Sequence, residues 1–224
     1  MRDGAATETK RRLIAAASAL FAERGFHGTK IRDIAGRGAV NVAAGNYHYG
    51  SKKALYLEVL RTQFADVRAL LARRGASRSP AELARMSRAQ LATLLRARVQ
   101  AMLDLLVGPP PGLHGTLMQR EMCDPSEALP VIVQEFVRPM MQEMGTIVAR
   151  LAPELDGAAI DRCVWSIIGQ VLFYRTAMPA MLRMLDAPAY PRGYTKALAA
   201  HIADFSLAGM ATMRRARGRR RHAR

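Results

Sequence analysis

Asn46 is the side chain best suited to reading another molecule. Its amide carries a donor and an acceptor together, a combination that can pair with the edge of a nucleic-acid base. Val42, Ala43 and Ala44 precede it, and alanine methyls can touch thymine methyls. Tyr47, His48 and Lys52 follow, and their polar ends suit phosphate oxygens, which fix position without reading sequence. Thr29 and Lys30 stand at an expected helix start, where backbone N–H groups can hold a phosphate through the helix dipole. With Asn41, these residues form the candidate DNA-contacting set. Its chemistry is groove reading, which requires a short helix presented by a rigid turn.

The surrounding elements fit that requirement. A first helix is expected over 9–24, with Leu13, Ala17, Leu20 and Phe21 as its buried stripe and Gly25 as its C-terminal stop. Thr29 is expected to cap a second helix over 30–37, whose inner face is Ile31, Ile34 and Ala35. The turn falls at Gly38, Ala39 and Val40. Asn41 caps a third helix over 42–49, Gly50 closes it, and Ser51 caps a fourth with Leu55, Val59 and Leu60 inside. Beyond the break at 73–80, Ser79-Pro80 starts a helical pattern reaching Val107. A Gly/Pro loop is expected at 108–115, a short helix over 116–122, and a helix from Pro125-Ser126 to Leu151 kinked at Pro139. Residues 157–186 read as the most apolar helix, buried on more than one side, and 193–215 as the last.

The net charge is +16 over 224 residues, unevenly spread. Residues 1–53 carry ten Lys/Arg against four acids, whereas 54–213 carry seventeen against fourteen. Residues 214–224 hold seven arginines and no acid, and read as a disordered basic tail. A polyanion partner at the two ends follows from this distribution. The cysteines, Cys123 and Cys163, have no metal-ligand spacing, and the five histidines are isolated, so neither metal nor cofactor is expected. No nucleophile–base pair or Gly-rich phosphate loop appears, which argues against an enzyme. No apolar run reaches membrane-spanning length and no secretory core is present, so a cytoplasmic, reduced location is expected, without membrane partners.

The segments LFAERGF, IRDIA and YHYGSK, in that order within about 9–60, resemble the tetracycline-repressor-type (TetR/AcrR) family of bacterial transcriptional regulators. LMQREMCDPSEAL, FVRPMM, SIIGQVLFYR and HIADFSLAGM resemble a subgroup that includes regulators of cefoperazone and chloramphenicol sensitivity. The resemblance implies an all-α fold: a three-helix helix-turn-helix domain at 1–53, then a larger helical effector-binding and dimerisation domain at 54–213. It also implies a small-molecule effector in the second domain. The chain departs from the family's Gly-Val at the turn, having Ala39-Val40 with Gly38 one place earlier. A left-handed alanine costs about 1 kcal/mol, so Gly38 is expected to take the strain. Gly45 replaces a buried Leu or Val of the family and Gly36 sits inside helix two, which together predict a soft DNA-binding unit.

Met118, Met122, Met140 and Met144, with Phe136, Trp165, Ile168 and Leu172, form the candidate ligand-binding set. Two readings stand for these residues, a plain core and an adaptable effector pocket. Ser166 and Gln170 share a helix face and need polar partners, across a subunit interface or in a ligand. Phe173 and Tyr174 have the same alternative of facing a second subunit. The expected protein is a homodimer through the last two long helices, a repressor reading a palindromic double-stranded operator under a small apolar or amphipathic effector. The alternative is a non-specific architectural DNA binder dominated by the arginine tail.

Overall fold

Apolar stripes at helical spacing, punctuated by Ser, Asp, Gly and Pro at the breaks, produce an all-helical chain. The computed structural model describes residues 2–41, 49–108 and 113–222, and no strand occurs among them. Contacts divide the chain into two compact units, 1–66 with 112–136, and 67–111 with 137–224. This partition follows packing.

In the first unit, α1 (Arg2–Arg24) packs against α2 (Ile31–Arg37), the first half of α3 (Lys52–Arg73) and α6 (Leu113–Cys123) are also present, and a short α7 (Leu129–Ile132) follows. Leu13, Ala17, Leu20 and Phe21 are buried, as the stripe requires, and so are Ile34, Leu55, Tyr56, Val59 and Leu60 of the same unit. Phe21, Phe26 and Tyr56 form an aromatic cluster, with Phe21 edge-on to Tyr56 at 4.8 Å. Gly25 ends α1 at φ +73° with its N–H on the Phe21 carbonyl. Ser51 caps α3 by accepting from the Ala54 N–H.

Two expectations fail here. Thr29 does not cap α2: Lys30 occupies that place without a side-chain bond, and Thr29 is 1% exposed. Its hydroxyl donates to the carbonyls of Gly25 and Leu20, satisfying the end of α1 instead. Gly38 does not take the strain of the turn either. It stays right-handed at φ −75°, and Ala39 adopts φ +48°. The two N–H bonds that close α2, Ala39 to Gly36 and Val40 to Ala35, make a Schellman turn, whose left-handed position falls one residue after the cap. Gly38 serves close approach, because a Cβ there would lie 3.2 Å from the Ile34 carbonyl and 3.4 Å from that of Arg12. Ala39→Gly should therefore stabilise this unit by about 1 kcal/mol, measured by chemical denaturation.

The second unit is a bundle of α5 (Arg88–Val107), α8 (Arg138–Leu151), α9 (Gly157–Thr176) and α11 (Tyr194–His222), with short helices α4 (Pro80–Arg85) and α10 (Met178–Met184). Its core interleaves Leu91, Leu95 and Val99 with Met144, Ile147 and Val148, Val164, Ile167 and Val171, and Leu198 and Ile202. The expected continuous helix from Ser79 to Val107 is two helices. Ser79 and Ser87 each form a capping box, with Glu82 and Gln90, and extended Met86 lies between. The expected bend at Pro139 is a π-helical turn over Val133–Val137, a wider turn that accommodates a residue without an N–H. The helix expected over 157–186 stops at Thr176, because Pro179 opens α10. The last helix continues to His222, through the segment expected to be disordered, and side chains beyond Arg214 lie outside the described residues.

Candidate nucleic-acid interface

The turn after α2 is held from α1. Arg12, half-buried, donates from its guanidinium to the Ala39 carbonyl at 2.8 Å, pinning the residue that carries the positive φ. At the start of α3, the Lys52 ammonium donates to the Phe26 carbonyl at 3.0 Å and the Thr29 carbonyl at 3.3 Å. It also sits 4.2 Å above the Phe26 ring centroid. Lys52, expected on a phosphate, is half-buried and places two of its three donors on the loop between α1 and α2.

Lys30 and Asn41 are exposed. Arg24 and Arg37 flank α2 with exposed ion pairs, to Asp33 and Glu23. Val42, Ala43, Ala44, Asn46, Tyr47 and His48, with the Gly45 expectation, lie outside the described residues. Tyr49 follows them, half-buried, its phenol pushed up to about 12 by burial and by the nearby Glu58 charge. Lys10 of α1 lies 5.7 Å from the Tyr49 ring centroid, a cation–π approach.

The candidate ligand residues divide between the units. In the first, Phe136 is buried and stacks on Phe64 at 4.2 Å, Met118 is half-buried and Met122 is exposed. In the second, Met144 and Ile168 belong to the core and Met140 packs against it. Trp165 and Leu172 leave that core: Trp165 is 58% exposed, on the same uncovered side of α9 as Leu172 and Phe173. Ile168 stands at the edge of the buried arc that Val164, Ile167 and Val171 form, and Trp165 and Leu172 lie further round the helix, beyond that arc. Gln170 is satisfied by donating to the Ser166 carbonyl within α9.

Two buried ionic groups escaped the sequence reading. Glu121 of α6, 1% exposed, accepts from the Tyr56 hydroxyl at 2.9 Å and from the Ser126 N–H and hydroxyl at 3.0 and 2.9 Å. Its neighbour Arg120 donates to the Ala22 and Glu23 carbonyls at the end of α1, both at 2.6 Å. In the second unit Arg98, 2% exposed, pairs with Glu143 at 2.5 Å. Ser126, five residues after Glu121, was the available signal for the first. For the second, Arg98, one of three arginines in α5, gave no indication of its partner 45 residues on.

Comparison with known proteins accounts for both parts of the chain. Residues 13–59 match the model of the N-terminal domain described as "Bacterial regulatory proteins, tetR family". Residues 91–210 match that of the C-terminal domain of the "HTH-type transcriptional dual regulator CecR". The chain is 25% identical to the dual regulator CecR of Shigella flexneri over 183 residues, 78% of this chain and 79% of that protein. It is 38% identical to the regulator RutR of Escherichia coli K12 over 66 residues, 30% of this chain and 31% of that protein. Among solved structures, the regulator FadR of Bacillus subtilis, in complex with stearoyl-CoA, shares the fold at TM-score 0.64 and 15% identity, covering 89% of this chain and 98% of that one. The two family matches lie in the N-terminal and C-terminal parts of the chain, and the family and these relatives are transcriptional regulators, not enzymes. The chain is a DNA-binding helix-turn-helix transcriptional regulator of the TetR family, with a C-terminal domain of the CecR type.

Proposed function

We propose that the protein is a homodimeric, sequence-specific repressor, released from or held on a palindromic operator by a small apolar or amphipathic effector. Residues 1–53 form the DNA-reading part, 54–213 the effector-binding and dimerising part, and 214–224 a basic tail that adds salt-sensitive attraction to DNA. The protein works in the cytoplasm, where it reaches its operator. Among the described residues no helix is long and apolar enough to cross a membrane.

One observation carries the homodimer. The helices α9 and α11 bury one side in the second unit's core and leave large apolar groups uncovered on the other. Trp165, Leu172 and Phe173 stand out on α9, and Phe205, 66% exposed, stands out on α11. His201 stacks on Phe205 at 6.2 Å and extends the outer row of α11 by one turn. A second copy of the same two helices is self-complementary to such a face and gives a closed two-fold pair. Two-fold symmetry then demands a palindrome, with half-sites about one DNA turn or more apart. An effector acts through its different affinity for the DNA-competent and DNA-incompetent spacings.

Phe205→Asp should convert the dimer to a monomer in sedimentation equilibrium and abolish operator binding while the monomer stays folded by circular dichroism. A variant that remained dimeric would refute this interface. Selection of random duplexes at near-physiological salt supplies the operator, and enrichment of one palindrome is expected. Tight, salt-sensitive binding without enrichment would instead favour an architectural binder acting through its seven terminal arginines.

A further inference from the structure

We propose that the cleft between the ends of α1 and α6 binds the head of a small α-amino acid, its carboxylate on Arg120 and its ammonium on Asp124. All the residues that line it belong to the first unit, so the site is separate from the effector site proposed for the second.

The cleft has a volume of about 80 Å³ and is lined by Gly25, Phe26, Tyr56, Arg120, Cys123 and Asp124, together with Glu121. Phe26 and Tyr56 are buried and supply its aromatic wall, whereas Cys123 and Asp124 are exposed and supply its rim. The volume is about half of the roughly 150 Å³ that takes up a benzene ring in an apolar core, which suits a polar head of about five heavy atoms. Gly25 keeps the cleft open, because a Cβ there would lie 3.9 Å from Nη1 of Arg120.

Two opposite charges line this cleft without pairing. Arg120 is fixed by the bonds from its Nε and Nη2 to the Ala22 and Glu23 carbonyls. Among the described residues nothing accepts from its Nη1, and no carboxylate pairs with it. Asp124 donates its N–H to the Arg120 carbonyl at 2.7 Å, closing the last turn of α6, and its carboxylate has no partner among those residues. The negative ends of two helix dipoles, those of α1 and α6, meet at the same place. Glu121 adds a further carboxylate, one already satisfied by Tyr56 and Ser126. This field favours a cation beside Asp124, while the Nη1 donors of Arg120 call for an anionic acceptor. A lone anion would also meet the two carboxylates, and a lone cation would also meet the guanidinium. A molecule that carries an ammonium and a carboxylate on one carbon answers both charges at once. The cleft therefore reads the α-amino and α-carboxyl groups and leaves a ligand's side chain to the open rim. Bound there, the ligand adds a second bridge from α6 to the end of α1, beside that of Arg120.

The test is a titration of the full-length protein with glycine, read in its backbone amide spectrum, with acetate and methylammonium as the two halves of the probe. Glycine should give saturable shifts at Gly25, Phe26, Cys123 and Asp124, with a dissociation constant on the order of millimolar. Acetate and methylammonium should each bind about tenfold more weakly or worse, since each loses one charge-assisted contact. Asp124→Asn should weaken glycine by about tenfold. Asp124 is exposed, so this variant keeps its core, and the dispersion of the same spectrum reports that it is folded. Shifts at these four residues that do not saturate, or no shifts there, would overturn the site. Acetate binding as tightly as glycine would overturn the zwitterion assignment, and so would a folded Asp124→Asn protein with wild-type affinity.

Discussion

Glu143→Leu is expected to destabilise the second unit by about 3–5 kcal/mol, enough to unfold much of it, because it strands a buried charge. Arg98 is nearly inaccessible, and its guanidinium is held by the Glu143 carboxylate and the Ala76 carbonyl. Removing the carboxylate leaves the cation with one neutral acceptor at 3.4 Å. The double replacement Arg98→Met with Glu143→Leu should recover most of the loss, since an apolar pair of similar volume needs no compensation. Denaturant melts of the wild type, the single variants and the double variant measure this coupling directly. A double variant as unstable as Glu143→Leu would show that packing around 143, and not the stranded charge, dominates.

The pair also sets a pH dependence. Burial raises the Glu143 carboxyl, but the bonds from Arg98 and Ser77 outweigh it and hold the group below its ordinary value of 4.5. A carboxyl that binds protons more weakly when folded stabilises the fold above its unfolded value, and that contribution disappears as pH falls through the folded value. The wild type should therefore lose stability in the acid range beneath about pH 4.5 more steeply than the double variant does, read from melting temperatures across that range.

Sequence pattern carried the helices because their signals are local. A stripe such as Leu13, Ala17, Leu20 and Phe21 needs only its own spacing, and Gly25 or Ser79-Pro80 marks an end by its own geometry. Errors arose where two local signals competed or where a partner lay far away in sequence. Ser87 with Gln90 forms a second capping box only a few residues after the first, inside an otherwise periodic run, and splits it. At the turn, both Gly38 and Ala39 were available, and propensity favoured strain at the glycine. In the structure Gly38 stays right-handed, and a Cβ there would sit tightly against the Ile34 carbonyl and close to that of Arg12 on α1. The backbone partners of Lys52 were not legible, because the Phe26 and Thr29 carbonyls are atoms that no residue type announces. Trp165 and Phe173 could not be assigned to pocket or interface from periodicity, which shows that a face is apolar but not what covers it.

Glu121→Ala should cost the first unit about 3 kcal/mol, because it leaves the Tyr56 hydroxyl and the Ser126 N–H buried without their acceptor. Tyr56→Phe should cost about 1 kcal/mol, since it removes one donor and leaves the carboxylate its two Ser126 bonds. The order of these two variants in chemical denaturation is the test: the carboxylate is the hub, so its loss must exceed the loss of any one donor. Equal effects would mean that the Tyr56 bond alone matters and that Ser126 finds another acceptor. The hub has a functional consequence because of its neighbour. Glu121 fixes α6 against α3 through Tyr56, while Arg120, one residue earlier, grips the last carbonyls of α1 through two short bonds. The carbonyls of Ala22 and Glu23 belong to the final turn of α1, which lacks intrahelical donors, so Arg120 supplies what that helix end is missing. The segment that carries the hub is thereby locked to α1, part of the frame of the proposed DNA-reading part. Arg120→Met should weaken operator binding without touching the hub, and should do so with little change in the denaturation midpoint, because the helix-end carbonyls regain water as Arg120 leaves. An Arg120→Met protein with wild-type operator affinity would show that α6 holds the frame through Glu121 alone.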